Sequence, residues 1–119
     1  MIDHLEIQTR QLDAVVAFYR RVLAPLAYEL KLEGASKGFG TSAGVDFFVL
    51  EGPPSADVHF AFRVTDRAPV RTCYEAGRGS TGVLDQEPAL ALAIHPNYYA
   101  GYLRDPDQRL VEFVCHEQE

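Results

Sequence analysis

An internal repeat constrains the fold of this chain more than any other feature of its sequence. Three identical pairs share a spacing of 55 residues, across a predicted strand and the helix that follows it: His4 and His59, Val15 and Val70, and Tyr19 and Tyr74. Repetition at a fixed offset is the signature of a supersecondary unit that is used more than once. The sequence therefore predicts two copies of one unit in tandem.

Hydropathy patterns predict the elements of each unit. Period-two alternation predicts a strand over IDHLEIQT, and the spacing of apolar residues over LDAVVAFYRRVLAPL predicts a helix that ends at Pro25. AYELKLE, GFGTS and VDFFVLE look like three more strands. After the joint EGPPSAD, the pattern begins again with the strand DVHFAFRV, the helix TDRAPVRTCYEAGR, and the strands QEPALALAI, YYAGYLR and RLVEFVC. We therefore expect an α+β fold of two tandem βαβββ modules, about 1–52 and about 57–119, in a single domain over 1–119.

Composition argues against several classes of partner. The chain has 11 Lys and Arg against 17 Asp and Glu, a net charge of -6, and no basic cluster to neutralise phosphates, so we expect no nucleic-acid partner. No run approaches the roughly 18 apolar residues of a membrane span, and MIDHLEIQTR lacks the layout of a signal peptide. We therefore expect a cytoplasmic protein with no membrane partner. Cys73 and Cys115 are too few for a disulfide framework, and we expect both to be reduced core residues.

Strand parity brings three metal-competent side chains to one face. If the helices cover one face of each sheet, the core-facing set is entirely apolar: Leu5, Ile7, Phe60, Phe62, Val111, Phe113 and Cys115. The opposite face then carries His4, His59 and Glu112, and two imidazoles with one carboxylate form a facial ligand set for a divalent metal. A cation would also compensate a carboxylate inside the apolar run LVEFVC. The other interpretation of Glu112 is an outward-facing edge residue or a partner for Arg63 or Arg104.

Several segments carry a family resemblance. They are IDHLEI with FYRRVLAPL, then VHFAF, and above all HPNYYAGYLRDPDQRLVEFVCH, which is similar to a D-P-D-G-x-x-[IV]-E ending. With these segments the chain resembles the vicinal oxygen chelate superfamily, which contains glyoxalase I, extradiol dioxygenases, fosfomycin-resistance enzymes and metal-free bleomycin-binding proteins. The resemblance implies a curved mixed sheet around a central cup, a homodimer, and a divalent metal ion (Fe, Mn, Zn or Ni) that binds a small oxygen-chelating substrate.

The resemblance carries three metal ligands over by position: His4, His59 and Glu112. Many members have a fourth ligand in the last strand of the first module. Aligning FFVLEG with LVEFVC puts Val49 there, and Glu51, two residues further on, is then the candidate fourth ligand. This departure favours a three-ligand site of the dioxygenase kind over a four-ligand site of the glyoxalase kind. Gln108 stands where the family usually has glycine, and we expect a changed turn conformation there.

In the metal-dependent interpretation, the ion is a Lewis acid in a lyase, isomerase or dioxygenase reaction. Such chemistry needs a base, and the candidates are Glu51, His95, Tyr98 and Tyr102. We assign catalysis to Glu112 and Tyr102, although pocket wall is the other interpretation of the two tyrosines. The alternative function is a metal-free small-molecule binding protein of the bleomycin-resistance type. A vestigial site in a subunit of a larger assembly is the third alternative.

Overall fold

The computed structural model describes residues 1–55 and 57–119, which form two four-stranded sheets and two helices. The elements are, in chain order, β1 (Leu5–Thr9), α1 (Leu12–Val22), a 3-10 turn (Ala24–Leu26), β2 (Glu29–Glu33), β3 (Ser36–Thr41), β4 (Gly44–Glu51), β5 (His59–Val64), α2 (Arg67–Ala76), β6 (Val83–Leu90), β7 (Tyr99–Arg104) and β8 (Leu110–Cys115). Ala56, which belongs to the predicted joint, lies outside the described residues.

The two sheets have the same strand order, β1-β4-β3-β2 and β5-β8-β7-β6. In each sheet the first and last strands of the unit pair in parallel, and the remaining pairs are antiparallel. A parallel pair requires a crossover connection, which the helix and the two intervening strands supply. The prediction of two tandem βαβββ units in an α+β fold is confirmed. The sheets are open, with β1, β2, β5 and β6 at their edges.

Both helices pack their apolar faces on the sheets. α1 and α2 contribute seven side chains to the core: Val15, Phe18, Tyr19, Val22, Val70, Cys73 and Tyr74. The parity prediction is confirmed, because Ile7, Val111, Phe113 and Cys115 are buried in this core and Leu5, Phe60 and Phe62 pack against it. Among the described residues, no helix has the length and apolar character that a membrane crossing requires.

Both cysteines lie in this core as free thiols. Burial raises the pKa of the Cys73 thiol to about 12. The thiolate is the reactive form of cysteine. Cys73 is therefore an inert packing residue, in agreement with the prediction of reduced core cysteines.

The observed β6 differs from the strand predicted over residues 86–94. It begins at Val83 and ends at Leu90, after which the chain turns: Ala91 N–H donates to the Tyr98 carbonyl at 2.7 Å, and Ile94 N–H donates to the Ala91 carbonyl at 2.9 Å. The apolar residues after Leu90 suggested a longer strand, but Leu92 and Ile94 are 69% and 57% exposed. The turn brings Tyr98 to the start of β7.

A buried ion pair connects the β7–β8 turn to the first unit. Asp105 and Arg109 are 0% and 4% exposed, and Arg109 Nη1 donates to Asp105 Oδ2 at 2.8 Å. The Tyr19 hydroxyl of α1 donates to the same carboxylate oxygen at 2.6 Å. Arg109 also donates to the carbonyls of Ser55 and Gln8. Each buried charge is therefore compensated, as a buried pair requires.

Gln108 completes this turn in a left-handed conformation with φ 70°. Its N–H donates to the Asp105 carbonyl at 2.8 Å. Glycine adopts such a conformation at the least steric cost. The sequence suggested a changed turn because Gln108 replaces glycine, but the turn has the conformation that suits glycine.

Candidate functional site

Two of the three predicted metal ligands lie side by side on the second sheet. His59 begins β5, Glu112 lies in the middle of β8, and the parallel register pairs His59 with Leu110. His59 Nε2 lies 3.1 Å from Glu112 Oε1. The side chain of His59 is 49% exposed, whereas Glu112 as a residue is only 3% exposed. The carboxylate therefore lies at the bottom of the site and the imidazole at its entrance.

The second oxygen of Glu112 is held by Tyr98. The Tyr98 hydroxyl donates to Glu112 Oε2 at 2.5 Å. Burial raises the pKa of Tyr98, and the hydrogen bond to Glu112 and the charge of Glu112 raise it further. Tyr98 therefore keeps its proton and fixes the orientation of the carboxylate. The residues His59, Glu112 and Tyr98 are called the carboxylate cluster below.

Tyr102 stands opposite Glu112 in the antiparallel β7–β8 register. Its ring stacks on the His59 ring at a centroid distance of 6.3 Å. Burial raises the pKa of Tyr102, and the charge of Glu112 also raises it. Tyr102 is therefore a neutral hydroxyl beside the cluster, suited to donating a hydrogen bond rather than to abstracting a proton.

The two contacts of the His59 imidazole require either a second proton on the ring or a cation beside it. His59 Nδ1 lies 3.0 Å from the Leu110 carbonyl, which can only accept, so Nδ1 carries a hydrogen. A neutral imidazole has one N–H, so Nε2 would then present its lone pair to the Glu112 carboxylate. Two lone pairs at 3.1 Å repel each other unless a cation or a second proton lies between them.

His4 lies immediately before β1, in the first unit, and does not contact the carboxylate cluster. Its Nδ1 is 2.7 Å from Asp3 Oδ1, its ring packs edge-on against Phe48 at 5.7 Å, and its side chain is 54% exposed. Across residues 1–55 and 57–119, no set of three or more His, Cys, Asp or Glu side chains is arranged to hold a metal ion. One chain thus brings His59 and Glu112 together without His4, and the three-ligand site stays a prediction.

A cavity lined mainly by aromatic side chains lies beside His4 and His59. It has a volume of about 370 Å³, and both imidazoles line it together with Tyr28, Phe47, Phe60 and Phe62. Cavities of this size, mostly apolar with a few polar groups, are typical of small-molecule sites. The arrangement can therefore bind an apolar group beside two imidazoles.

The sequence alignment that places Val49 at the fourth-ligand position is wrong by one residue. In the second unit Ala61 pairs with Glu112, and the equivalent pair in the first unit is Glu6 with Phe48. Phe48, whose ring cannot bind a metal, therefore occupies the position equivalent to Glu112. Val49 is a fully buried core residue. Glu51 pairs with Thr9 at the end of β4, on the same strand face as Val49.

A second pair of histidines supports Tyr98. His95 Nε2 lies 2.7 Å from His116 Nδ1, and the Tyr98 ring packs edge-on against both imidazoles at 5.4 and 5.0 Å. The Asn97 N–H donates to His95 Nδ1 at 3.1 Å, so His95 donates from Nε2 to His116. This pair was not predicted from the sequence, because the turn after Leu90 creates it. His95, a candidate base, is thus engaged with His116.

Comparison with known proteins identifies solved structures with a similar fold. No family model matches the chain. Among solved structures, it is similar to a glyoxalase/bleomycin resistance protein from Albidiferax ferrireducens T118, at 19% identity and a TM-score of 0.79 over 96% of this chain and 97% of that one. A glyoxalase/bleomycin resistance protein/dioxygenase family enzyme from Burkholderia phytofirmans PsJN has 14% identity and a TM-score of 0.74 over 98% of both chains.

The fosfomycin resistance protein FosX from Mesorhizobium loti is also similar, at 16% identity and a TM-score of 0.66 over 94% of this chain and 88% of that one. The chain therefore has the same fold as these glyoxalase/bleomycin resistance/dioxygenase proteins. The predicted fold is confirmed. At these identities the likeness concerns the fold and leaves the activity to be argued from the site.

Proposed function

We propose that this protein is a divalent-metal-dependent enzyme of the glyoxalase/dioxygenase type, which binds a small oxygen-chelating substrate at the carboxylate cluster. The observation that carries the proposal is the direct approach of His59 Nε2 to the buried Glu112 carboxylate, 3.1 Å from Oε1, while His59 Nδ1 lies 3.0 Å from the Leu110 carbonyl. Ligating histidines usually donate their other N–H to a carbonyl or carboxylate, and the Leu110 carbonyl fills that role for His59. His59 and Glu112 therefore fit a divalent cation as two of its ligands.

We propose that the third ligand is His4 of a second copy in a homodimer. Within one chain, His4 packs on Phe48 of its own sheet and is not grouped with Glu112. His4 is half-exposed and lies immediately before β1, and both β1 and β5 are open edge strands. A two-fold symmetric contact would place each copy's His4 equivalently toward the other copy's cluster. Two identical sites would then be completed together.

Each member of the site has a distinct task. When bound, the cation would supply Lewis acidity to neighbouring substrate oxygens. Tyr98 holds Glu112 Oε2, which leaves Oε1 directed toward His59. Tyr102 keeps its proton and can donate a hydrogen bond to a substrate oxygen that becomes negative. The aromatic cavity beside His59 would receive the apolar part of the substrate.

Metal analysis tests this function. Protein purified without added metal or chelator is compared with His59→Ala and Glu112→Gln, and Glu75→Gln, an exposed carboxylate that pairs with Arg78 far along the chain from these ligands, serves as the matched control. The wild type and the control should retain a divalent metal, and the two ligand variants should lose it. Less than about 0.1 equivalent in the wild type, unchanged by refilling with Fe(II), Mn(II), Zn(II) or Ni(II), would refute the metalloenzyme.

Mixing two inactive variants tests the shared site. His4→Ala and His59→Ala should each lose the metal, but a heterodimer of the two contains one site with His4, His59 and Glu112 intact. Random exchange of subunits makes about half of the dimers mixed, so the mixture should regain about one quarter of the wild-type metal. If the three ligands come from one chain, mixing restores nothing.

The second candidate is a metal-free binding protein. Two features favour it: the aromatic cavity, and Phe48, which cannot bind a metal at the position equivalent to Glu112. In that case His59 is an imidazolium that donates from both nitrogens, and Glu112 is satisfied without a metal. The wild type would then remain metal-free and bind an apolar or cationic molecule, and His59→Gln would weaken that binding. The metal analysis separates the two candidates.

A further inference from the structure

A separate cavity of about 370 Å³ lies between the start of α2 and the segment after β8. Arg67 and Arg71 line it, and their spacing of four residues puts both on one face of the helix. Glu117 and Glu119 line it from the other side. No member of the carboxylate cluster is among its described lining residues, so this cavity belongs to a different part of the surface.

Two guanidinium groups lie beside one aromatic ring next to this cavity. The Cζ atoms of Arg67 and Arg71 lie 5.2 and 5.8 Å from the centroid of one ring, that of Tyr99. Arg71 Nη1 also donates to the Tyr99 hydroxyl at 3.4 Å. Cation–π contacts favour each arginine separately, but two like charges beside one ring repel each other. An anion shared between them would relieve this repulsion.

Arg67 is unusually enclosed for an arginine. Its side chain is 13% exposed, and its Nε atom is buried with no hydrogen-bond partner among the described residues. A buried donor without an acceptor costs free energy, so most such groups in proteins are paired. Arg67 therefore carries a donor that no described residue pairs.

One carboxylate already approaches both arginines. Glu119 Oε1 lies 3.7 Å from Arg67 Nη1, and Glu119 Oε2 lies 3.8 Å from Arg71 Nη1. These distances are too long for hydrogen bonds, and the Glu119 side chain is 65% exposed. Glu117 is drawn toward Arg63, at 3.7 Å. The carboxylate between the arginines is thus bound loosely enough to be displaced.

We propose that Arg67 and Arg71 form a binding site for small carboxylate anions, with Glu119 as an internal competitor. The planar guanidinium group matches a carboxylate in shape and can donate two parallel hydrogen bonds to it. A free carboxylate can approach the guanidinium Nη atoms to hydrogen-bond distance, which Glu119 does not. Asp66 also lines the cavity, and its negative charge limits the affinity of the site for an anion.

Calorimetric titration with succinate tests this site, at constant ionic strength and with succinamide as the uncharged probe. Succinate should bind saturably and succinamide should not. Glu119→Gln removes the competitor and should tighten succinate binding by about two- to fivefold, the range expected for an exposed ion pair. Arg71→Gln should weaken it by about tenfold or more. Arg78→Gln, at the other end of α2 where Arg78 pairs with Glu75, is the matched control and should bind like the wild type.

Four results of these titrations would overturn the proposed carboxylate site. Absence of saturable succinate binding, equal binding of succinamide, an unchanged Kd in Arg71→Gln, or no gain in Glu119→Gln would each overturn the proposal. Arg71 is half-exposed, so its substitution leaves the core intact and a loss of binding reports on the site. His59→Ala should bind succinate normally, which separates this site from the proposed metal centre.

Discussion

Tyr19 and Tyr74 occupy equivalent positions in the two units, yet only one has a buried partner. Tyr19 is fully buried, and its hydroxyl donates at 2.6 Å to Asp105, which is also fully buried. The Tyr74 hydroxyl makes no hydrogen bond to the part of the chain that the structure describes, although the residue is only 5% exposed. Tyr74 is therefore a matched control for the contribution of the Tyr19–Asp105 hydrogen bond to stability.

Tyr19→Phe should lower the free energy of unfolding by about 1.5–3 kcal/mol, the usual range for a hydrogen bond to a charged group. Phenylalanine keeps the ring contacts, and Asp105 keeps the donors of Arg109, so the loss is confined to one bond. At about 4 °C per kcal/mol for a chain of this size, Tm should fall by about 6–12 °C. Tyr74→Phe should stay within about 0.5 kcal/mol of the wild type.

Urea unfolding at one fixed protein concentration measures both variants, because dimerisation would make stability depend on concentration. Equal m-values are required for the comparison. A loss of less than about 0.5 kcal/mol in Tyr19→Phe, or equal losses in the two variants, would refute a buried charge-assisted bond between α1 and the β7–β8 turn.

Two further predictions concern local conformation and pH. Gln108→Gly should raise the free energy of unfolding by up to about 1 kcal/mol, because glycine relieves the steric cost of φ 70°. The same urea assay measures this change, and a loss of stability would contradict the prediction. Burial, with the hydrogen bond to Asp46, raises the pKa of Tyr28 to about 12, so the folded state holds this proton more tightly than the unfolded state does. The resulting stability is complete below about pH 10 and is lost as the pH rises toward about 12. Urea midpoints measured across this range should fall less in Tyr28→Phe than in the wild type, and an equal fall would show that Tyr28 makes no contribution.

Periodicity and the repeat were sufficient to predict the two units and their faces, because both depend on local alternation that each strand carries in its own residues. His59 and Glu112 meet for this reason: parity puts both on one face, and they lie on neighbouring strands. Tyr98 and Tyr102 have the right parity as well, but the sequence did not favour Tyr98, whose position depends on the turn after Leu90.

Register and the arrangement of the two units were harder to predict. Alignment by residue type matches FFVLEG with LVEFVC and makes Val49 the equivalent of Glu112. Backbone pairing between β1 and β4 shows instead that Phe48 is the equivalent residue. Side-chain chemistry does not fix register when both faces of a strand carry apolar residues. The distance of His4 from the cluster depends on how the two sheets pack, and no local pattern encodes that packing.

Anomalous diffraction from crystals grown with Mn²⁺ or Zn²⁺ tests the central claim most directly. The account predicts an anomalous peak about 2.0–2.2 Å from both His59 Nε2 and an oxygen of Glu112, with His4 of a second copy as the third ligand. Metal-loaded crystals with no peak between these two side chains, and with His59 still in direct contact with Glu112, would contradict it.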